Sequence, residues 1–325
     1  MSPPFMRASV RHPASSSQRG FIIIAVLWIL VALSALATIF SIYLSNSARA
    51  LGVTDTGVQV DALVSASLEL AAYQLLSADE KAIPAQGSFR FRMDNADVRV
   101  TFTSEAARVD LNSASKEMLA GLFEVLGAEQ KAAAGLADRI VGWRTQSKPG
   151  AADDEGALYL AAGLNYSPRQ AHFAHVNELS LVLGASPALM ERALPYLTVF
   201  SKSADVDVLV APPEVIAALP GMTPEVLNDL LKQRPSLPHD QKAIAAALGP
   251  VKATLPETKA FRVLTSLRFD NGRRASSEAV ISLANAKGDD KSNDKGKDED
   301  KRPYSILSWQ DQVETASRPL KQAGR

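Results

Sequence analysis

The chain begins with a long apolar run close to its N-terminus. From Phe21 to Leu44 there are 24 positions without a charged side chain, interrupted only by Ser34, Thr38 and Ser41. A helix of that length measures about 36 Å, more than the ~30 Å of a bilayer's hydrocarbon core. The pattern therefore predicts a transmembrane helix over residues 21–44.

The charges on either side of this run indicate its orientation. Residues 1–20 contain Arg7, Arg11 and Arg19 and no acidic residue, whereas the first charge behind the run is Arg49. Because basic residues stay on the cytoplasmic side of a membrane helix, we expect the N-terminus to be cytoplasmic and the body to lie across the membrane.

A cleaved secretory signal peptide is the alternative interpretation of this segment. The small residues of Ala35-Leu36-Ala37 offer a cleavage site. The apolar run continues past this point, however, and it is longer than the ~7 to 15 residues of a typical signal core. A retained anchor is therefore favoured.

Apolar positions behind the anchor keep a helical spacing. They include Val60, Leu63, Val64, Leu68 and Leu75, which would lie on one face of a helix. We predict a stalk helix over residues 45–80, resuming after interruptions at Gly52 and Gly57.

The period then changes to that of β-strands. Alternating residues around the polar turn Asp94-Asn95-Ala96-Asp97 predict a hairpin over residues 88–103, and alternation near the C-terminus predicts further strands over residues 260–309. Between these two halves of a split sheet, residues 110–256 read as an inserted helical domain. The charged segment 287–302 has no apolar side chain to bury, so we expect a disordered loop there.

The insert contains a partial internal repeat of helix, glycine turn and capped helix. The turns are centred on Gly184 and Gly221, with a fainter copy at Gly127. Ser186 and Thr223 stand at the N-cap position, each followed by proline at the first helical position. These units resemble helix-hairpin-helix motifs, which hold nucleic-acid phosphates at a helix N-terminus.

A membrane-anchored DNA-binding protein is therefore the alternative function. Charge argues against it: the 35 basic and 35 acidic residues balance, and without the three arginines of residues 1–20 the chain holds 32 basic and 35 acidic residues. Such a chain lacks the general basic surface that drives DNA affinity, so no nucleic-acid partner is expected.

Catalytic chemistry has no support in the sequence. There are no cysteines, and no nucleotide-binding loop, nucleophile elbow or zinc-protease motif is present. His172, His175 and Glu178 are spaced three apart and could share a helix face, but surface polar positions are the simpler interpretation. We expect a protein that is not an enzyme and needs no cofactor.

The junction before the apolar run resembles a processing site. Gln18-Arg19-Gly20 followed by Phe21 is similar to the cleavage site of type IV pilins and pseudopilins. The resemblance implies that a prepilin peptidase cuts between Gly20 and Phe21 and that Phe21 is N-methylated. Such subunits usually carry glutamate at the fifth mature position, which here is Ala25, so a place at the filament tip is expected rather than one within the shaft.

The chain as a whole resembles the general secretion pathway protein K family of minor pseudopilins in type II secretion. The similarity runs from Arg19 to Trp309, and its most specific segments lie in the insert. These segments are Val109-Asp110-Leu111-Asn112-Ser113-Ala114-Ser115, Ile140-Val141-Gly142-Trp143-Arg144, Phe173-Ala174-His175-Val176-Asn177-Glu178-Leu179 and Leu194-Pro195-Tyr196-Leu197-Thr198-Val199. The family often carries acidic residues where Gly142 and Thr145 stand.

This resemblance implies an α+β pseudopilin fold, with a long transmembrane and stalk helix, a small antiparallel sheet and a large all-α insert between strands. It implies a structural subunit at the tip of a periplasmic pseudopilus, anchored in the inner membrane by one helix. The implied partners are the I and J type minor pseudopilins, the major pseudopilin and prepilin peptidase. A minor pilin of a related type IV filament is the alternative.

The resemblance also implies calcium in the insert. The nearest acidic cluster is Asp153, Asp154 and Glu155. Hard oxygen ligands suit calcium, but a full shell needs about six to eight oxygens, and on the residues alone a solvated acidic loop is the competing interpretation.

Overall fold

The computed structural model of the chain describes residues 18–78, 83–146, 154–256, 258–283 and 303–312. The chain divides into two compact units, Met1–Ala62 and Leu63–Arg325. The first element, helix α1, covers Gln18–Ser77. Its backbone is helical through both Gly52 and Gly57, so the interruption expected there is absent. A glycine costs only about 1 kcal/mol in a helix interior, which a long helix tolerates.

Within the second unit, α1 buries one face. Leu63, Val64, Leu68 and Leu75 are each at most 2% exposed, and their spacing of three to four residues matches one side of a helix. The helical pattern predicted for this stretch is therefore present.

The first two strands form a hairpin. Strand β1 covers Gln86–Met93 and strand β2 covers Ala96–Ser104, and they pair antiparallel with Met93 opposite Ala96. Asp94 at the turn has φ of +50°, a left-handed conformation that aspartate tolerates better than most residues.

The insert follows β2 and is built mainly from short helices. A pair of two-residue parallel strands, β3 (Val109–Asp110) and β4 (Leu197–Thr198), joins its beginning to its middle. Short 3₁₀ turns lie at Glu105–Ala107, Val176–Leu181, Leu194–Tyr196 and Arg234–Ser236. The α-helices are α2 (Lys116–Val125), α3 (Gln130–Arg144), α4 (Asp154–Ala161), α5 (Pro187–Ala193), α6 (Pro213–Ala217), α7 (Pro224–Gln233) and α8 (Gln241–Leu248).

One apolar core holds the insert together. Its buried residues run from Val109 to Ala253 and draw on every α-helix from α2 to α8. Large side chains such as Phe123, Ile140 and Leu230 are completely inaccessible. Because the helices are short, burial in this shared core rather than intrinsic helix propensity must supply most of their stability.

The chain then returns to the sheet through three strands. These are β5 (Ala260–Phe269), β6 (Arg274–Leu283) and β7 (Tyr304–Gln312). All neighbours are antiparallel, in the order β1-β2-β5-β6-β7, so the insert lies between two strands that are adjacent in the sheet. The segment 287–302, for which a disordered loop was expected, lies outside the described residues.

The two faces of the sheet differ in polarity. In β2 the buried positions Ala96, Val98, Val100 and Phe102 alternate with the exposed Asp97, Arg99 and Thr101. Tyr304 Oη donates a hydrogen bond to Glu69 Oε1 at 3.1 Å, which joins α1 to strand β7. The apolar face is therefore buried, and the opposite face carries charged and hydroxyl side chains.

Candidate functional site

The N-terminal part of α1 exposes an apolar surface along its whole length. Residues Ile23–Leu44 have a mean hydropathy of 2.7, and none of this span is buried. Trp28 is 71% exposed and Ile39 65% exposed. Contiguous apolar surface on this scale is unfavourable in water, and in length and composition the helix fits a single-pass membrane anchor.

The expected processing site lies in the first turns of α1. Gly20 and Phe21 are both helical in backbone conformation, while their side-chain surroundings lie outside the described part of the chain. Ala25 follows one turn later and is partly exposed. From Phe21 to Leu44 the helix carries no carboxylate that could neutralise a terminal ammonium of a neighbouring subunit.

A buried aspartate organises the start of the insert. Asp110 is 1% exposed, and its carboxylate accepts hydrogen bonds from three donors on two segments. Oδ1 accepts from Asn112 N at 2.7 Å, and Oδ2 accepts from Ser201 Oγ at 3.0 Å and Lys202 N at 2.9 Å. The parallel β3–β4 pair brings these segments together, so Asp110 fastens residues 201–202 to the start of the insert.

Asn112, two positions after Asp110, binds a third segment of the insert through its side chain. Asn112 Nδ2 donates to Phe173 O at 3.0 Å, and Asn112 Oδ1 accepts from Phe173 N at 2.7 Å. The Asn112 side chain therefore satisfies both backbone groups of Phe173, as a neighbouring β-strand would. Ser115, at the end of the motif, caps α2 by accepting from Met118 N at 3.1 Å.

The C-terminal end of α3 packs against residues 111–114 and against Phe173. Arg144 donates to Leu111 O at 2.5 Å and to Ala114 O at 2.6 Å, and Trp143 stacks on Phe173 with ring centroids 6.0 Å apart. Burial lowers the pKa of Arg144, and the charge of Asp110 offsets part of this effect. The four sequence segments that carry the family resemblance therefore converge on one structural centre, which positions the helices of the insert.

A second buried carboxylate joins the insert to the sheet. Glu105 is fully inaccessible, and Arg262 of β5 donates from Nε to its Oε1 at 2.7 Å and from Nη2 to its Oε2 at 3.2 Å. Arg108 lies 3.3 Å from Oε1, and the Thr198 hydroxyl donates to Oε2. Since Glu105 begins the insert directly after β2 and Arg262 lies on the adjacent strand β5, this cluster fixes how the insert sits on the sheet.

The pKa values of the two arginines in this cluster shift in opposite directions. Burial tends to lower the pKa of Arg262, but hydrogen bonds and charge attraction from Glu105 and Glu278 outweigh it, so the pKa is raised. For Arg108, burial and then the like charge of Arg262 outweigh the attraction of the carboxylates, and the pKa is lowered. Arg262 is therefore the principal partner of Glu105.

This buried cluster was not anticipated from the sequence. Glu105 and Arg262 are 157 positions apart, and each looks like an ordinary polar residue beside a strand. The local sequence gives no signal beyond the two alanines that follow Glu105.

The glycine turns of the helical repeat are present, with Gly127, Gly184 and Gly221 at φ of +90°, +88° and +81°. Ser186 caps α5 by accepting from Leu189 N at 3.3 Å, and Thr223 caps α7 by accepting from Val226 N at 3.4 Å. The element before the Gly184 turn is a 3₁₀ turn rather than an α-helix.

The helix starts after the Gly127 and Gly221 turns do not favour phosphate. Glu129 occupies the N-cap of α3, and Glu225 lies in the first turn of α7. A hydrogen bond with its own backbone amide, followed by one from the Thr223 hydroxyl, lowers the pKa of Glu225 and keeps it ionised. A negative charge at a helix N-terminus opposes binding of a second anion, so the starts of α3 and α7 are unfavourable phosphate sites.

The acidic cluster predicted for calcium is only partly described. Asp153 lies outside the described residues, and Asp154 begins α4 without a described side chain. Glu155 Oε2 forms an ion pair with Arg139 Nη1 at 3.0 Å, and its carboxyl group fills the space that a side chain at Gly142 would occupy. No group of three or more metal-binding side chains occurs in the described parts of the chain.

Two members of the predicted histidine and glutamate group, His175 and Glu178, have local structural roles. His175 Nδ1 accepts a hydrogen bond from Asn177 N at 3.1 Å and caps the following 3₁₀ turn. Glu178 accepts from Ala174 N at 2.9 Å and pairs with Arg169 at 2.8 Å. These contacts agree with the interpretation as surface polar positions.

Comparison with known proteins finds a family match that overlaps the insert and a solved structure with a similar fold. Residues 98–202 match the family model for Type II secretion system (T2SS), protein K. This region contains all four of the converging segments. No curated protein matches the chain.

Among solved structures, the chain is similar in fold to one in the GspK-GspI-GspJ complex from the enterotoxigenic Escherichia coli Type 2 Secretion System. The TM-score is 0.55 at 15% sequence identity, with 80% of this chain and 99% of that chain covered. The expected α+β class, with its N-terminal apolar helix and small antiparallel sheet, is thus confirmed. The chain therefore contains a region, residues 98–202, that matches the protein K family of type II secretion, and its fold is similar to that of the solved chain.

Proposed function

We propose that this chain caps the periplasmic pseudopilus and thereby supports protein export across the outer membrane. The observation that carries the proposal is the uncharged apolar helix, Ile23–Leu44, joined in sequence to a body with a bulky insert between β2 and β5. A helix of this kind packs beside other apolar helices in a bilayer through close van der Waals contact. The chain contributes structure to the machine and carries out no reaction.

Position at the tip follows from the residue at the fifth mature position. Ala25 offers no carboxylate to a neighbouring subunit's terminal ammonium, and an unpaired ion in hydrocarbon is costly. A subunit that accepts no such neighbour terminates the shaft instead of continuing it. The insert of residues 105–259 supports the same placement, because its volume would obstruct a subunit stacked above it.

The proposed processing and location follow from the N-terminal sequence. Prepilin peptidase cleaves between Gly20 and Phe21, Phe21 becomes N-methylated, and the helix stays in the inner membrane. The N-terminus is cytoplasmic, because Arg7, Arg11 and Arg19 precede the helix with no acidic residue among them. The body is then periplasmic.

The proposed partners are the I and J type minor pseudopilins, with the major pseudopilin below them. Support comes from the fold shared with a chain solved in complex with GspI and GspJ. The test is co-purification of the tagged full-length chain, in mild detergent, from its own host. A stoichiometric complex with both minor pseudopilins supports the proposal, whereas a chain that elutes alone, or with subunits of another filament system, contradicts it.

Calcium binding by Asp153, Asp154 and Glu155 stays a prediction, supported by three adjacent carboxylates in sequence. Its test is the thermal midpoint of the full-length chain with calcium and with chelator. A rise with calcium that is lost in the Asp153→Asn/Asp154→Asn variant supports binding there; an identical midpoint in both conditions rejects it. Magnesium at the same concentration is the control, since it demands a different geometry.

A further inference from the structure

The exposed face of the sheet carries an unusual concentration of arginine. The strand register aligns Arg92, Asp97, Arg268 and Arg274 in one row, and Arg90 and Arg99 with Ser266 in the next. These residues line a shallow cleft of about 710 Å³. We call this surface of two rows the arginine face.

Like charges stand directly opposite each other on this face. Arg90 pairs with Arg99 across β1 and β2, and Arg268 pairs with Arg274 across β5 and β6. Such pairs are destabilising for a sheet, so folding alone gives no reason for them. Edge strands often carry charge to block aggregation, but Arg99, Arg268 and Arg274 belong to strands with neighbours on both sides.

The negative charge nearby is too small to balance the face. Arg92 forms ion pairs with Asp97 at 3.0 Å and with Asp270 at 2.8 Å. No described carboxylate forms an ion pair with the other four arginines. An excess of positive charge is thus held on one side of a chain whose total charge is balanced.

The acidic run Asp298-Glu299-Asp300 is poorly placed to supply the missing charge. The acidic run Asp298-Glu299-Asp300 ends four residues before Tyr304, so even a fully extended chain carries it only about 20 Å from there. Tyr304 pairs with Leu283, nine residues along β6 from Arg274, a distance of about 30 Å. Beyond Gln312 the sequence has one acidic and three basic residues, which adds positive charge.

The strand at the edge of this face is open to a new neighbour. Among the described strands, β1 pairs only with β2. Its outward side chains, Arg90 and Arg92, belong to the arginine face, while Phe89 and Phe91 on the other side stack 6.3 Å apart and stay partly exposed. An added strand would therefore meet arginines on one face and phenylalanines on the other.

We propose that β1 and the arginine face bind an extended segment of another protein in which acidic and apolar residues alternate. The segment adds to β1 as a sixth strand through backbone hydrogen bonds, which a peptide can supply and a nucleic acid cannot. Its acidic side chains face Arg90 and Arg92, and its apolar side chains cover Phe89 and Phe91. A second copy of this chain is a poor occupant, because pairing β1 with β1 would oppose arginine with arginine. The proposal does not depend on the order of subunits in the filament.

The test uses the full-length chain in phosphatidylcholine nanodiscs and a fluorescent ten-residue peptide of alternating glutamate and valine. Fluorescence anisotropy at low salt measures its Kd. Two other peptides of the same length serve as comparisons: one with lysine in place of glutamate, and one with glutamates and valines in separate blocks. We expect the alternating acidic peptide to bind at least tenfold more tightly than either.

The variant Arg90→Glu/Arg274→Glu should weaken this binding at least tenfold, because Arg90 faces the added strand directly. Folding is protected, because each new glutamate lies opposite a remaining arginine and forms a favourable cross-strand pair. Arg192→Glu, on the exposed side of α5, is the matched control and should leave the Kd unchanged.

Three results would overturn the proposal. The first is equal binding by the wild type and the double variant, and the second is an equal loss in the Arg192→Glu control. The third is a preference for duplex DNA or for phosphatidylglycerol nanodiscs over the alternating peptide, since either would mean that the face recognises phosphate.

Discussion

At the scale of single residues, the most constrained side chains in this protein are polar. Asp110 and Glu105 are almost completely buried, yet each gathers donors from segments that are far apart in sequence. Asp110 fastens residues 201 and 202, and Glu105 fastens Arg262 of the sheet. A buried carboxylate is costly unless all its partners are in place, so these two residues specify one arrangement of the insert.

Replacing Asp110 by alanine should destabilise the insert strongly. The change leaves the buried donors Ser201 Oγ and Lys202 N without their acceptor, which costs about 2 to 4 kcal/mol. We expect a clear fall in the thermal midpoint of the full-length chain in detergent. Asp229→Ala is the control, since Asp229 forms only an exposed pair with Lys232 at 3.4 Å and should cost less than about 0.5 kcal/mol. Equal midpoints for the two variants would refute a structural role for Asp110.

Removing Glu105 tests the second buried carboxylate. Glu105→Ala leaves Arg262 and Arg108 largely buried without their main counter-charge, which should cost about 3 to 5 kcal/mol. Glu105→Ala/Arg262→Met should recover part of this loss, because the stranded charge is removed as well. The readout is the midpoint of chemical denaturation for both variants. A double variant less stable than the sum of the single changes would contradict the pairing.

At the scale of elements, the helices of the insert are short and depend on close contact. A Cβ added to Gly121 of α2 would lie 2.5 Å from the carbonyl oxygen of Ala218, just after α6. Real Cβ atoms do not approach so closely, so only glycine allows α2 and α6 to pack as they do. At Gly135 of α3, in contrast, an added Cβ meets nothing within 4 Å.

These two glycines form a matched pair for mutation. Gly121→Ala forces α2 away from α6 and should destabilise the chain by about 1 to 3 kcal/mol. Gly135→Ala improves helix propensity at an open position and should be neutral or stabilising by up to about 1 kcal/mol. Circular dichroism during thermal unfolding distinguishes them. Similar midpoints for both variants would show that the α2 and α6 contact carries little stability.

Local signals were sufficient to predict several elements. Ser186 and Thr223 do cap helices, and the alternation in residues 88–103 does form a hairpin, because caps and period-two patterns act over a few residues. The arginine face was not anticipated. It depends on the register between β2 and β5, strands separated by the whole insert, and no local pattern determines which side chains become neighbours across such a gap.

At the scale of the whole molecule, the chain combines an apolar helix that exposes its side chains with a body that buries its own. The membrane span was visible in the sequence because it needs only length and the absence of charge. The connection between the insert and the sheet through Glu105 and Arg262 was not visible in the sequence, because it depends on tertiary contacts. The central claim concerns the helix, which must be retained after processing for the chain to act in a filament.

Mass spectrometry of the mature N-terminus tests this claim most directly. The chain should be isolated from the membranes of its own host, with the Gly20→Leu variant as a control that should retain residues 1–20. The account predicts a membrane-bound chain that begins with N-methylated Phe21. A water-soluble chain that begins at Thr38, after Ala35-Leu36-Ala37, would contradict it and would establish a conventional secreted protein.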